Sequence, residues 1–257
     1  MKRFGLMTVI ALSLGLAHSA LAADLEGAPT YAPPAAAGPT WTGLYVGVNG
    51  GAGWSNLSFS TTPTGPIAAV LGNPGSLSTK INGAVFGGQL GYNWQVGNWV
   101  LGAEGDFDTA GINGAQQSVF PGLAGAQDSI QVHENINWLA TARGRLGYIW
   151  GPTLIYVTGG GAWTSVGSTV LLNEGLTGVA AAGSFNTQRS GWTLGAGYEW
   201  MIAPNWIGRA EYLYYGFSDN SHSFIFPSGL GADTLTSSKL NTNVIRVGLS
   251  YKFDWGH

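Results

Sequence analysis

From Gly43 onward, apolar and polar residues alternate with a period of two over eight stretches separated by turn residues, the pattern of strands with one apolar face. The second stretch puts Ala84, Phe86, Gly88, Leu90, Tyr92 and Trp94 on one face and Val85, Gly87, Gln89, Gly91 and Asn93 on the other. The third sets Trp99, Leu101, Ala103 and Phe107 against Glu104, Asp106 and Asp108. The fourth opposes Ile136, Trp138, Ala140, Ala142, Leu146 and Tyr148 to Asn137, Thr141, Arg143 and Arg145. In the sixth, Trp192, Leu194, Ala196, Tyr198 and Trp200 face away from Thr193, Gly195 and Glu199. The seventh places Trp206, Ala210, Tyr212 and Tyr214 opposite Arg209 and Glu211, and the eighth places Ile245, Val247, Leu249, Tyr251 and Phe253 opposite Arg246, Ser250 and Lys252. The first (around Leu44 to Trp54) and fifth (around Leu154 to Thr164) are diluted by glycine, which leaves their facing open.

The connections alternate as regularly as the faces. Three are tight and carry turn chemistry, at Val96-Gly97-Asn98, Gly151-Pro152 and Ala203-Pro204-Asn205. Four are long, over Ser55–Thr79, Thr109–Glu134, Ser165–Gln188 and Gly216–Thr242, and connections of that length are uncommon in compact soluble domains. Strict alternation of short and long is the signature of an outer-membrane barrel with short periplasmic turns and long extracellular loops. The expectation is an all-β, eight-stranded, antiparallel up-and-down transmembrane barrel over residues 41–257, both ends periplasmic.

Composition decides which face meets what. Only 9% of residues are charged, against an average near 25%, while hydrophobic residues reach 45% and aromatics 12%. A soluble barrel would need charge on its outside, and there is too little to dress it. Ten charges fall on the polar face: Glu104, Asp106, Asp108, Glu199 and Glu211 against Arg143, Arg145, Arg209, Arg246 and Lys252. Equal numbers of acids and bases suit a narrow lumen, where an unpaired charge costs several kcal/mol. Tryptophan agrees. Trp94, Trp99, Trp150, Trp200 and Trp206 cluster beside the short turns, where amphipathic rings favour the headgroup layer, and Trp54, Trp163 and Trp192 are candidates for the opposite girdle.

Residues 1–22 read as a secretory signal peptide: Lys2 and Arg3, an apolar run from Phe4 to Leu16, then Ala20 and Ala22 at the −3 and −1 positions of a cleavage site. The run is too short to span a bilayer as a helix. Residues 23–40, with Pro29, Pro33, Pro34 and Pro39 among alanines, read as a semi-extended periplasmic linker. The formal charge of −3, which becomes −5 without Lys2 and Arg3, offers nucleic acid no basic field, and the absence of cysteine excludes thiol catalysis and zinc–cysteine sites.

Seven stretches resemble the small outer-membrane immunogenic proteins of alphaproteobacteria, within the eight-stranded OmpA-like superfamily. They are WTGLYVGVNGGAGW from Trp41, FGGQLGYNWQ from Phe86, LGAEGDFD from Leu101, WLATARGRLGY from Trp138, LIYVTGGGAW from Leu154, GWTLGAGYEW from Gly191 and NVIRVGLSYKF from Asn243. They fall on seven of the eight strands and leave out the loops, so the resemblance speaks to fold and location rather than activity. It also implies an assembly signal in the last strand, read by the outer-membrane insertion machinery: Arg246, Gly248, Tyr251 and Phe253, followed by the departing tail Asp254-Trp255-Gly256-His257. Periplasmic chaperones and outer-membrane lipid, lipopolysaccharide included, are the partners this route implies.

Candidate chemistry is sparse. Gly159-Gly160-Gly161 and Gly195-Ala196-Gly197 do not join a strand to a helix, as a phosphate cradle requires. His133 lies near Asp128, Ser129 and Glu134, the residue types of an acyltransferase, but no fixed spacing supports an enzyme. No cofactor is expected; the alternative is surface haem, contacted by His133, His222, Phe224 or Phe226. Eight strands leave an interior just wide enough for side chains. The expectation is therefore a structural envelope barrel, its lumen plugged by paired charges, with a low-conductance pore and a loop receptor for haem or host ligands as the alternatives.

Overall fold

The computed structural model describes residues 40–64, 76–121, 127–173, 180–218, 220–225 and 232–253. The expected signal peptide with Ala20 and Ala22, the linker up to residue 39, Phe226 and the tail 254–257 lie outside them. Among the described residues there are nine strands: β1 Gly43–Thr64, β2 Ser76–Val96, β3 Trp99–Pro121, β4 Gln127–Trp150, β5 Thr153–Asn173, β6 Ala180–Ala203, β7 Trp206–Phe217, β8 Asn220–Ile225 and β9 Ala232–Phe253. Neighbours pair antiparallel in the order β1-β2-β3-β4-β5-β6-β7-β9, and β1 pairs back onto β9 to close the ring. β8 continues the line of β7, since β7 pairs with residues 240–251 of β9 and β8 with residues 232–237. The barrel thus has eight staves, the seventh made of two segments.

Two of the tight turns rest on glycine. Gly97 and Gly151 sit at φ of 61° and 60°, in the left-handed region that a side chain makes costly, and each opens a two-residue hairpin between directly paired strands. The third turn is pinned from outside: Asn205 Nδ2 donates to the Lys252 carbonyl, and Lys252 N donates to the Asn205 carbonyl, both at 2.8 Å.

The facing follows the alternation. Leu90, Tyr92, Leu101, Phe107, Val157, Leu194 and Val247 stand exposed on the outside, and Gln89, Glu104, Arg143, Glu199 and Arg246 are buried inside. The glycine-diluted strands resolve as well: Tyr45 and Asn49 of β1 and Tyr156 and Thr158 of β5 point inward. Glycines make room for the two tyrosine rings, Gly91 against Tyr45 and Gly197 against Tyr156.

Two expectations need correction. The four long connections are strand for much of their length: β1 runs to Thr64, β3 to Pro121 and β5 to Asn173, so the staves extend well past the last outward tryptophans. Among the described side chains the outer face there is polar, with Asn56, Asn113, Gln117, Asn135 and His133, so no amphipathic alternation marks them. Second, Ile136 faces inward and is buried, not outward with Trp138. A register shift between Ile136 and Trp138 puts consecutive residues Asn137 and Trp138 on the outer side, a bulge that reverses the phase of β4 above it.

Candidate functional site

The inward faces converge on one charged layer. Register alone makes three acid–base couples: Glu104 opposite Arg143, Glu199 opposite Arg209, and Glu211 opposite Arg246. In each couple the two charges also touch: Arg143 reaches Glu104 at 2.5 Å, Arg209 reaches Glu199 at 2.7 Å, and Arg246 reaches Glu211 at 2.8 Å. The bore then cross-links them. Arg143 reaches Glu211 at 2.9 Å, Arg209 reaches Glu104 at 2.5 Å, and Arg145 reaches Glu199 at 2.8 Å. Arg143 also holds Asp106 at 2.7 Å, and Arg246 holds Asp108 at 2.6 Å. A barrel this narrow makes opposite walls as close as adjacent strands, which is why one guanidinium bridges three carboxylates.

Neutral groups complete the layer. Tyr45 Oη donates to Glu104 at 2.5 Å and accepts from Arg145 at 2.9 Å, Tyr156 Oη donates to Glu211 at 2.9 Å, and Thr141 Oγ1 donates to Asp106 at 2.6 Å. The Arg145 guanidinium lies 4.0 Å from the Tyr156 ring centroid, a cation–π contact in a desolvated site. In the same layer, Asn49 donates to Gln89 at 2.8 Å, and Gln89 donates to Ser250 at 3.2 Å. All ten charged residues assigned to the lumen from the sequence face it and are buried; Lys252 sits at its short-turn end.

Apolar layers, which the alternation did not reveal, close the lumen on both sides of the charges. Trp41, Val100, Leu154 and Ile207 form a cluster at the short-turn end, backed by Ile149 and Met201, with Trp41 N donating to Gln95 at 2.8 Å. On the far side a larger cluster is contributed by six staves and includes Val85, Ile112, Ile136, Leu139, Leu213 and Val244. Beyond it Glu134 accepts from Ser168 at 2.6 Å, with Arg189 buried on β6. Burial raises the Glu134 carboxyl to about 7, with Ser168 and Arg189 opposing that rise. Glu134 and Arg189 were missed because the bulge and the small residues around them hide the inward phase.

The other candidates do not assemble. His133 stands exposed outside while its neighbour Glu134 points into the lumen, so the two share no site. Of His222 and Phe224 the structure describes only the backbone of β8, and the side chain of Asp128 lies outside the described residues. Among the described residues no group of histidines and carboxylates is placed to hold a metal ion.

The outer surface carries two aromatic rings. Trp94, Trp99, Trp150, Trp200 and Trp206 all point outward at the short-turn rim, and Trp54, Trp163 and Trp192 do so at the other. Tyr251 and Phe253 of β9 join the short-turn rim, their rings edge to face at 5.1 Å, while Arg246 of the same strand belongs to the charged layer. Gly248 lies between those two environments, beside the backbone of β1.

Comparison with known proteins matches residues 9–253 to the family model described as outer membrane protein beta-barrel domain. The 31 kDa outer-membrane immunogenic protein of Brucella melitensis is 37% identical over 243 residues, covering 92% of this chain and 95% of that protein. The 22 kDa outer membrane protein of Rhizobium leguminosarum is 29% identical over 216 residues, covering 83% and 79%. Among solved structures, the outer membrane protein OprG of Pseudomonas aeruginosa superposes with a TM-score of 0.50 at 14% identity, covering 82% of this chain and 97% of that one.

Proposed function

The chain belongs to the outer membrane protein beta-barrel family and resides in the outer membrane of Gram-negative bacteria, and on that premise we propose that it is a structural, non-conducting barrel of the cell envelope with no catalytic role. The observation that carries this reading is the stacking of the lumen: apolar, ionic, apolar. An ion entering such a bore must cross two dry layers and break at least one cross-linked pair between them. Rearrangement of ion pairs alone, which suffices for a leak through a purely ionic plug, is not enough here.

The last strand supports delivery by the barrel insertion machinery. Its outward Tyr251 and Phe253 and its closing pairs with β1 leave a terminal strand that can be recognised before the ring shuts. The relatives named as immunogenic proteins support a surface-exposed reading for the far ends of the staves.

The test is single-channel recording in a planar bilayer, with protein first shown to be folded by its faster gel migration unboiled than boiled. A silent membrane is expected. Reproducible current steps that change on neutralising Arg143 or Glu104 would overturn the sealed-barrel reading in favour of a narrow pore.

A further inference from the structure

Above the outer aromatic ring, the outside of the barrel changes character within one or two positions on each stave. Trp54 is followed outward by Asn56, Trp138 by Asn137 and Asn135, and Trp192 by Ser190 and Gln188. Every carboxylate whose side chain is described faces the lumen, and Lys80 is the one charged lysine or arginine among the described side chains that faces out. Among the described side chains this belt is therefore polar yet nearly free of charge.

Its amides are also in register. Asn82 pairs with Asn113, Asn113 with Asn135, Asn135 with Gly167, and Gly167 with Asn186, so a row of carboxamides crosses β2 to β6. Fourth in the row, Gly167 has no side chain, and the Asn135 and Asn186 amides lean over it. A methyl group there would lie 2.5 Å from Asn135 Oδ1 and 2.9 Å from Asn186 Oδ1. The two amides close over Gly167, so the row is a continuous carboxamide surface; Asn113 Nδ2 donates to the Gly111 carbonyl and Asn135 Nδ2 to Asn137 Oδ1, and each NH2 has a second proton to donate.

We propose that this row binds the sugar hydroxyls of outer-leaflet glycolipid headgroups through neutral hydrogen bonds. The proposal rests on the outer-membrane reading and specifies the partner. Continuity with the aromatic ring places the row at headgroup depth. Phosphate recognition calls for lysine and arginine, and the described belt supplies only Lys80. Hydroxyls, as paired donors and acceptors, match carboxamides without a charge partner.

The experiment refolds the full chain into phosphatidylcholine vesicles, alone or doped with digalactosyl diacylglycerol or phosphatidylglycerol. The readout is the temperature at which the compact gel band is lost. The galactolipid should raise that midpoint by about 3 °C, unchanged by high salt or chelator, while phosphatidylglycerol does not. The double variant Asn113→Thr/Asn135→Thr should keep the midpoint in plain vesicles and lose the galactolipid response. Gly167→Ala, which drives the two amides apart, should weaken the response and stands in if the double variant does not fold. An equal response from wild type and variants overturns the proposal, as does stabilisation by phosphatidylglycerol that salt removes and Lys80→Gln abolishes. No compact band from wild type in any vesicle would overturn the barrel reading itself.

Discussion

β4 contains two proteins in one strand. Below Leu139 its inner face is Thr141, Arg143 and Arg145, and its outer face is Ala142, Leu146 and Tyr148; from Leu139 outward the inner face is Leu139 and Ile136, with Glu134 beyond them, and past Trp138 the outer face is Asn137, Asn135 and His133. Neighbouring staves share the inversion: β3 goes from buried Asp106 and Asp108 to buried Ile112, while outside it goes from Phe107 to Asn113. The solvent outside the wall explains both halves. Within the bilayer, apolar groups belong outside and the remaining polar groups are left to pair in the bore. Beyond it, water takes the polar groups and the bore becomes an ordinary hydrophobic core.

The largest effect should come from removing the hub of the ionic half. Glu104 meets Arg143, Arg145 and Arg209, so Glu104→Ala leaves the buried layer with one positive charge in excess, although each arginine keeps another carboxylate. A loss of roughly 3–5 kcal/mol is expected in urea unfolding from vesicles. A loss below about 1 kcal/mol would mean that water reaches the network, and with it that the apolar seals leak.

In the apolar half the analogous change is a cavity. Ile136→Ala should cost roughly 2–5 kcal/mol, because Ile136 is buried among Val85, Ile112 and other apolar neighbours of the far cluster. Ile245→Ala on the lipid face should cost much less, since lipid fills the space a lost side chain vacates. Equal costs would return Ile136 to the outer face and remove the bulge from the argument.

The outer wall can be probed along a single strand. Leu90→Arg, exposed at mid-bilayer height on β2, should cost roughly 2–4 kcal/mol, and Asn82→Arg, above the ring on the same strand and the same face, roughly 0–1 kcal/mol. The gap between the two measures where the hydrocarbon ends.

The same contrast explains what could be read without a structure. In the lower half, alternation reports a real difference between lipid and lumen, so the facing of Leu90, Glu104, Arg143 and Arg246 and the outward tryptophans follow from residue order. In the upper half the described outer face is mostly Asn, Gln, Ser, Thr and Gly, and the segments look like loops, although β3 and β4 pair there from Ile112↔Ile136 to Pro121↔Gln127. The apolar seal was hidden for the same reason: Ile81, Ile112 and Val166 are isolated apolar residues among polar neighbours. Trp41 was invisible for another, since it precedes the first strand and no periodicity marks its insertion into the short-turn mouth. That the charges cross-link through the bore also depends on closure, which no local pattern encodes.

A pH dependence is expected from Glu134, at the top of the apolar half and beyond the Trp138 ring. Its neighbours inside the wall are Ser168 on β5, Arg189 and Thr187 on β6 and Ile136 on its own strand, with Gly114 opposite on β3. Burial raises its carboxyl from 4.5 to about 7, so the folded barrel holds this proton more tightly than the unfolded chain does. The sign follows: the stabilising contribution of the protonated form is present below the unfolded value and is lost as pH rises toward about 7. Glu134→Gln keeps the hydrogen-bond acceptor for Ser168 and cannot ionise. Between pH 4.5 and about 7 the variant should therefore show a flatter unfolding midpoint than wild type, and above that range a higher one. A midpoint that instead falls on substitution at neutral pH would mean that Glu134 is held ionised by Arg189, and that the ionic half of the lumen has an outpost on the far side of the seal.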